Sequence, residues 1–153
     1  QIAAKAAALR EAGTPAFKEY AQQVVKNARA MAEVFTEGGV RLITGGTDNH
    51  LILADVFGSL GISGGEAETL LDRAGITLNK NSIADDVRKP FDPSGIRFGT
   101  PAITTRGFVE DDVRAVAHLM LDVLTKRDEE TVASAREAIR ALSLAHPVPE
   151  SFA

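Results

Sequence analysis

The sequence predicts an α/β fold, a two-layer unit in which helices pack on a short, mostly antiparallel sheet. Three observations carry this. Long stretches repeat apolar residues at the 3.6-residue helical period, around Phe17–Phe35, Ala67–Ala74, Val113–Leu124 and Val132–Leu142. Two short apolar runs, Val40–Ile43 and His50–Val56, read as strands. A polar connection from Asn79 to Gly95 closes on a brief alternating segment, Ile96-Arg97-Phe98. Composition alone supports no more than one α/β or α+β domain. The chain has 153 residues, 44% hydrophobic and 25% charged, which is ordinary globular usage with enough length to bury a core.

The elements follow in order. Residues Ile2 to Glu11 are almost all strong helix formers, and Gly13 suits a left-handed stop. Thr14-Pro15 then reads as a cap followed by proline at the first helical position. From there Phe17, Tyr20, Val24, Met31, Val34 and Phe35 form a core stripe, while Lys18, Glu19, Gln22, Gln23, Lys26 and Arg29 take the wetter face. Gly38-Gly39 ends this helix. In the second strand Leu51 and Leu53 on one face and Ile52 and Ala54 on the other are all apolar, which predicts a central position. Gly45-Gly46 between the strands reads as a tight turn rather than a phosphate cradle, because no helix start follows it.

Ser63-Gly64-Gly65-Glu66 has the form of a capping box. Ala67, Leu70, Leu71 and Ala74 mark the buried face of the helix it opens, and Gly75 ends it. Ile76-Thr77-Leu78 reads as a brief strand and Ile103–Gly107 as a link. Glu110-Asp111-Asp112 forms an acidic first turn suited to a helix N-terminus. That helix buries Val113, Val116, Ala117, Met120, Val123 and Leu124. The last helix starts after the cap Asp128, buries Val132, Ala135, Ile139 and Leu142, and stops at His146-Pro147, leaving Pro147–Ala153 as a tail.

Several classes of function are disfavoured. The chain has no cysteine, hence neither disulfides nor a thiolate metal site. Its net charge of -4 argues against a general nucleic-acid surface. No apolar run is long enough for a membrane span, and no secretory pattern opens the chain, so a cytoplasmic protein is expected. The histidines, His50, His118 and His146, are scattered without metal-ligand spacing, and His118, beside an apolar stripe, reads as structural. No nucleophile elbow, dinucleotide fingerprint or phosphate loop is present. The chain opens on Gln1 in the middle of a helix-forming stretch, so a preceding segment is expected.

The stretch from Asn79 to Ala102 organises the rest. Pro90 and Pro93 stiffen it, and Asn81, Ser82, Asp85 and Asp92 offer side chains that can bond nearby backbone. An ordered polar loop then delivers Arg97 on a short strand, opposite in facing to Ile96 and Phe98. Chemistry alone leaves two readings of Arg97. It is an arginine on a wet strand face, or a guanidinium fork that grips a carboxylate at two points.

Within this stretch stand Asn79-Lys80-Asn81-Ser82, Pro90-Phe91, Ser94-Gly95-Ile96-Arg97 and Gly99-Thr100-Pro101-Ala102. Upstream lies Gly45-Gly46-Thr47-Asp48-Asn49-His50-Leu51, and downstream Thr105-Arg106-Gly107-Phe108. These words, in this order and spacing, resemble the C-terminal third of serine hydroxymethyltransferase, a pyridoxal-phosphate enzyme of fold type I. The resemblance runs over essentially the whole chain. It implies that residues 1–37 are linking helices from a large cofactor-binding domain and residues 38–153 the C-terminal small domain. It implies a transferase of one-carbon metabolism and glycine biosynthesis that moves a one-carbon unit between serine and glycine with tetrahydrofolate as acceptor, working as a homodimer.

By position, Arg97 matches the arginine that binds the amino-acid carboxylate. Asn81 matches an asparagine that meets the pterin ring, and Lys89, Pro90 and Phe91 match the segment lining the folate site. No catalytic residue is implied within the chain. Nothing here resembles the family's cofactor lysine motif, so pyridoxal phosphate would be held upstream and the fragment alone would be inactive. Lys80 stands in the wrong word for that role. One departure is visible: Ala84 stands where the family commonly has proline, which loosens the loop. Two other readings remain: a freestanding module that binds carboxylates or contacts a subunit, and another fold-type-I enzyme such as an aminotransferase. The latter has no need of the Asn79–Phe91 segment.

Overall fold

The computed structural model describes residues 1–149, and residues 150–153 of the expected C-terminal tail lie outside the described residues. The order is α1 (Ile2–Ala12), α2 (Pro15–Glu37), β1 (Arg41–Leu42), β2 (Leu51–Asp55), α3 (Val56–Leu60), α4 (Gly64–Arg73), β3 (Asn79–Asn81), β4 (Gly95–Gly99), α5 (Pro101–Thr105), α6 (Glu110–Lys126) and α7 (Glu129–Ala145). The strands form one sheet in the order β1-β2-β4-β3, and every pairing is antiparallel. The expected two-layer α/β architecture is therefore present.

Helices cover one face of the sheet. Ile52 and Ala54 of β2 and Ile96 and Phe98 of β4 are buried there. They join a single core with Met31, Val34 and Phe35 of α2, Leu71 of α4, the inner stripe of α6 and Val132 and Ala135 of α7. The six α6 residues expected inside, Val113, Val116, Ala117, Met120, Val123 and Leu124, are all buried. Ile139 and Leu142 are partly buried against the same core. The other face of the sheet is open: Leu51 and Arg97 are exposed and Leu53 is half-buried. Leu51 and Leu53 are thus less covered than their apolarity suggests.

The helix starts follow the expected chemistry. Thr14 accepts the Phe17 N–H, Ser63 the Glu66 N–H and Asp128 the Thr131 N–H. Each cap satisfies a backbone donor that a helix N-terminus leaves open. At Ser63 the hydroxyl half of the box forms. In α6 the Asp112 carboxylate reaches back to the Val109 N–H at 3.0 Å.

Several expectations are corrected. Gly13 closes α1 in a right-handed conformation, φ -79°, because the chain turns straight into Thr14-Pro15. The stripe of α2 is buried only from Val24 onward, while Phe17 is exposed and Tyr20 half-buried. The strand expected at Ile76–Leu78 lies at Asn79–Asn81, where β4 supplies the ladder partners. The link at Ile103–Gly107 is largely helical, in α5, and α3 follows directly on β2 at Val56. His118 is exposed on α6, so it is not a core histidine.

One buried polar residue ties the core together. Asn27 of α2 is fully buried, and its amide donates to Thr104 Oγ1 at 2.9 Å and to the Phe108 carbonyl at 2.8 Å. Its oxygen accepts from Gln23, so both ends are satisfied. Thr100, equally buried, donates to the Val24 carbonyl at 2.8 Å. These bonds pin the C-terminal end of β4 to α2.

Candidate carboxylate-binding groove

Arg97 lies at the centre of β4, paired with Leu53 of β2 on one side and Asn79 of β3 on the other. Strand alternation gives Arg97 the same facing as Gly95 and Gly99, opposite to buried Ile96 and Phe98. The two glycines leave little room beside it. A Cβ at Gly95 would meet Ile83 Cγ2 at 2.6 Å, and one at Gly99 would meet the His50 carbonyl oxygen at 2.6 Å. Backbone and neighbours therefore close in on the strand at both glycines that flank Arg97, while Arg97 itself is exposed.

Around it runs an open groove of about 630 Å³, lined by Thr44, Gly45, Gly46, Thr47, Asp48, Asn49, Leu51, Leu53, Asn81 and Arg97. The walls come from the β1–β2 connection and β3. That connection is held by its own side chains: Thr44 bonds the Gly46 carbonyl, Thr47 the Leu51 carbonyl, and Asn49 Oδ1 accepts the Leu51 N–H at 2.7 Å. Gly45 and Gly46 have positive φ, which gives the turn reading a physical basis. None of the ion pairs among the described residues involves Arg97. Asp48, the one acid on the groove, pairs with Arg29 at 3.3 Å. The groove thus presents one unengaged fork of five N–H donors, flanked by two leucines and several hydroxyl and amide groups. That set suits a carboxylate carrying a small polar group. The neighbouring depression beyond Gly45–Thr47 is lined by Glu33 and Glu37, and its only cation is the paired Arg29, so it suits an anion poorly.

The structure brings Asn81 and Arg97 into this groove together. Asn81 Nδ2 donates to the Ser82 carbonyl at 2.6 Å, leaving its oxygen uncommitted to that bond. Lys89, Pro90 and Phe91 do not line the groove. They are exposed on the loop between β3 and β4, with Lys89 Nζ 5.8 Å from the centre of the Phe91 ring. Thr44, Thr47, Asn49, Leu51 and Leu53 are groove residues that sequence reasoning assigned no role. The signal available for Thr47, Asn49 and Leu51 was the word from Gly45 to Leu51, which carried the family resemblance while only its Gly45-Gly46 pair was given a structural reading, as a turn.

The loop itself is ordered by two side chains. The Asp86 carboxylate accepts from Ile83 N, Arg88 N, Ser94 N and Ser94 Oγ. Burial pushes this carboxyl up, but the bonds from Ser94, Arg88 and Ile83 override that and hold it well below the usual carboxylate range. Its contribution to stability is therefore full above about pH 4 and is lost as pH falls through the folded value. Arg88 lies over the Phe57 ring, 4.5 Å from its centre, and pairs with Asp92. The hydroxyl of Ser63 and this Arg88 pairing lower the Asp92 carboxyl in turn. The loop also docks by backbone: Phe57 N–H donates to the Ser94 carbonyl and Gly64 N–H to the Pro93 carbonyl. Gly64 is required there, since a Cβ would lie 2.3 Å from the Gly95 carbonyl oxygen.

Among the described residues no cluster of His, Cys, Asp or Glu is arranged to hold a metal, and no helix is long and apolar enough to cross a membrane.

Comparison with known proteins places this sequence in a family. The sequence profile of the family described as serine hydroxymethyltransferase matches residues 1–120. A serine hydroxymethyltransferase of Limosilactobacillus fermentum is 52% identical over 149 residues, covering 96% of this chain and 36% of the relative. Those of Paracidovorax citrulli and Xylella fastidiosa are 52% and 51% identical over 148 residues, with 96% of this chain covered in each case. The chain spans about a third of the length of these curated relatives. Over nearly all of its residues, then, the chain belongs to the serine hydroxymethyltransferase family.

Proposed function

We propose that this chain is the C-terminal part of a glycine hydroxymethyltransferase that passes a one-carbon unit between serine and tetrahydrofolate. In this reading residues 1–37 link to a large domain and residues 38–153 form the small domain of a cytoplasmic homodimer. The observation that carries it is Arg97, an unengaged guanidinium on the open sheet face of a family member. A two-point contact with the serine or glycine carboxylate would fix the orientation of the α-carbon, and orientation supplies much of an enzyme's rate advantage.

The groove residues do not fit covalent attachment of pyridoxal phosphate. They include no lysine. Lys80 alternates to the other face of β3 and lies 3.9 Å from Glu68. The family resemblance supports assigning the cofactor to a large domain outside this chain, with the fragment alone inactive. The native protein, reduced with borohydride and weighed intact, is expected to be well over twice this length and to carry one reduced cofactor. A native chain of this length without the adduct would overturn the proposal.

Tetrahydrofolate is assigned to Asn81 together with the exposed Lys89-Pro90-Phe91 segment. Asn81 lines the same groove as the Arg97 guanidinium, and the segment offers a proline, an aromatic face and a cation of the kind that stacks and pairs with a flat anionic ligand. Asn81→Ala in the full-length enzyme is expected to weaken folate binding about tenfold, the value of one or two buried hydrogen bonds. Serine binding should stay within about twofold. Titration of both ligands against the variant checks this, and unaltered folate binding would remove Asn81 from the site.

A further inference from the structure

We infer that Asp86 is the positioning residue of the folate-facing loop, closing residues 83–94 into a ring that sets Asn81 and Phe91 relative to Arg97. This deepens the folate assignment above and rests on it.

The second half of the loop has Pro90 and Pro93, which restrict the backbone on their own. Residues 82–89 contain no proline, and Asp85 sits in the left-handed region at φ 55°, uncommon for a non-glycine residue though aspartate is among those that adopt it. Arg88 ties the loop to Asp92 and Phe57, but the backbone amides on both sides of Asp85 are gathered by one side chain. Asp86 Oδ2 accepts the Ile83 N–H at 3.2 Å and the Ser94 N–H at 3.0 Å; Oδ1 accepts the Arg88 N–H at 2.9 Å and the Ser94 hydroxyl at 2.6 Å. Three backbone amides from the two ends and the middle of the loop thus converge on one carboxylate.

The ring has consequences at both strands. Ile83 follows β3 by two residues and Ser94 directly precedes β4. Fixing their amides to one group fixes where Asn81 leaves the sheet and where Gly95 joins it, and Arg97 is two residues further on. Ser94 is buried and also gives its carbonyl to the Phe57 N–H, so the ring is anchored to α3. Four donors meet two oxygens, an arrangement only an ionised carboxylate satisfies. An asparagine has one acceptor oxygen, and its NH2 would confront backbone N–H groups.

The test compares Asp86→Asn with the parent in the full-length enzyme. Folate and glycine affinities are measured by equilibrium titration, and amide hydrogen exchange is followed across the chain. Folate affinity is expected to fall about tenfold with glycine affinity within twofold, and exchange should accelerate at residues 82–94 and not in α2 or α6. Ser94→Ala, which removes one of the four bonds and no backbone amide, should give a smaller loss of folate affinity in the same direction, and it decides the matter if Asp86→Asn does not fold. Unchanged folate affinity in a set where Asn81→Ala weakens it would overturn the role of Asp86. So would a parallel loss of both ligands with faster exchange everywhere, the mark of a merely structural residue. If Asn81→Ala and Phe91→Ala both leave folate binding unaltered, the folate assignment itself fails. The exchange pattern then decides separately whether Asp86 closes the loop.

Discussion

Arg97→Lys in the full-length enzyme is expected to raise the serine Michaelis constant about thirtyfold, and Arg97→Ala several hundredfold, with folate binding within about twofold. The guanidinium stands in a groove with no partner of its own, so its removal relieves no internal pair and exposes no buried acid. What is lost is the contact with ligand. Charge-assisted hydrogen bonds contribute about 1.5–3 kcal/mol each, and lysine can keep one of two but not the fork geometry. Each 1.4 kcal/mol is a factor of about ten. Steady-state kinetics with serine varied at saturating folate, beside a folate titration, reads both quantities. Serine kinetics that survive Arg97→Ala would return the residue to the plain reading of an arginine on a wet strand.

Phe35→Ala should cost about 3–5 kcal/mol, the usual price of emptying an aromatic site in a core that cannot collapse. Phe35 is fully buried at the C-terminal end of α2, and its ring lies 4.9 Å from that of Phe98. Phe98 is the strand neighbour of Arg97, on the opposite face. The cavity would therefore open directly behind β4. Thermal melting of the intact protein should show a fall of about 10 °C, at the roughly 2–4 °C per kcal/mol expected of a domain this size. Phe35→Leu, which keeps most of the volume, should recover more than half. Equal melting temperatures for Phe35→Ala and the parent would mean that the α2–β4 contact does not hold the sheet in place.

Where apolar spacing and local capping decide the outcome, the sequence is a good guide. The inner stripe of α6 and the caps Thr14, Ser63 and Asp128 are local matters, and they stand where spacing and hydrogen-bond chemistry put them. Strand β3 is different. Asn-Lys-Asn has poor strand propensity, while Ile76-Thr77-Leu78 has good propensity, yet the ladder forms on the former because β4 is within reach there. The five-residue helices α3 and α5 are too short for a period to show. Asn27 looks like any surface asparagine in its own helix. Its burial depends on Thr104 and Phe108, more than seventy residues away. The groove was half legible. Arg97 and Asn81 stood out by resemblance, whereas Thr44, Thr47, Leu51 and Leu53 matter only because antiparallel pairing lays the β1–β2 connection beside β4.

The one-sided sheet has a consequence for binding strength. An ion pair formed by a guanidinium that faces open water contributes about 0–1 kcal/mol, because solvent and salt screen it. Covered by a second surface, the same pair gains several-fold as the local dielectric falls. The Arg97 face is a floor without a roof. It can select a carboxylate by shape, but how tightly it holds one is set by whatever closes over it. Substitutions in that covering surface, remote from Arg97 in sequence, should then change affinity as much as substitutions in the floor, and ligand affinity should grow steeply with the degree of closure.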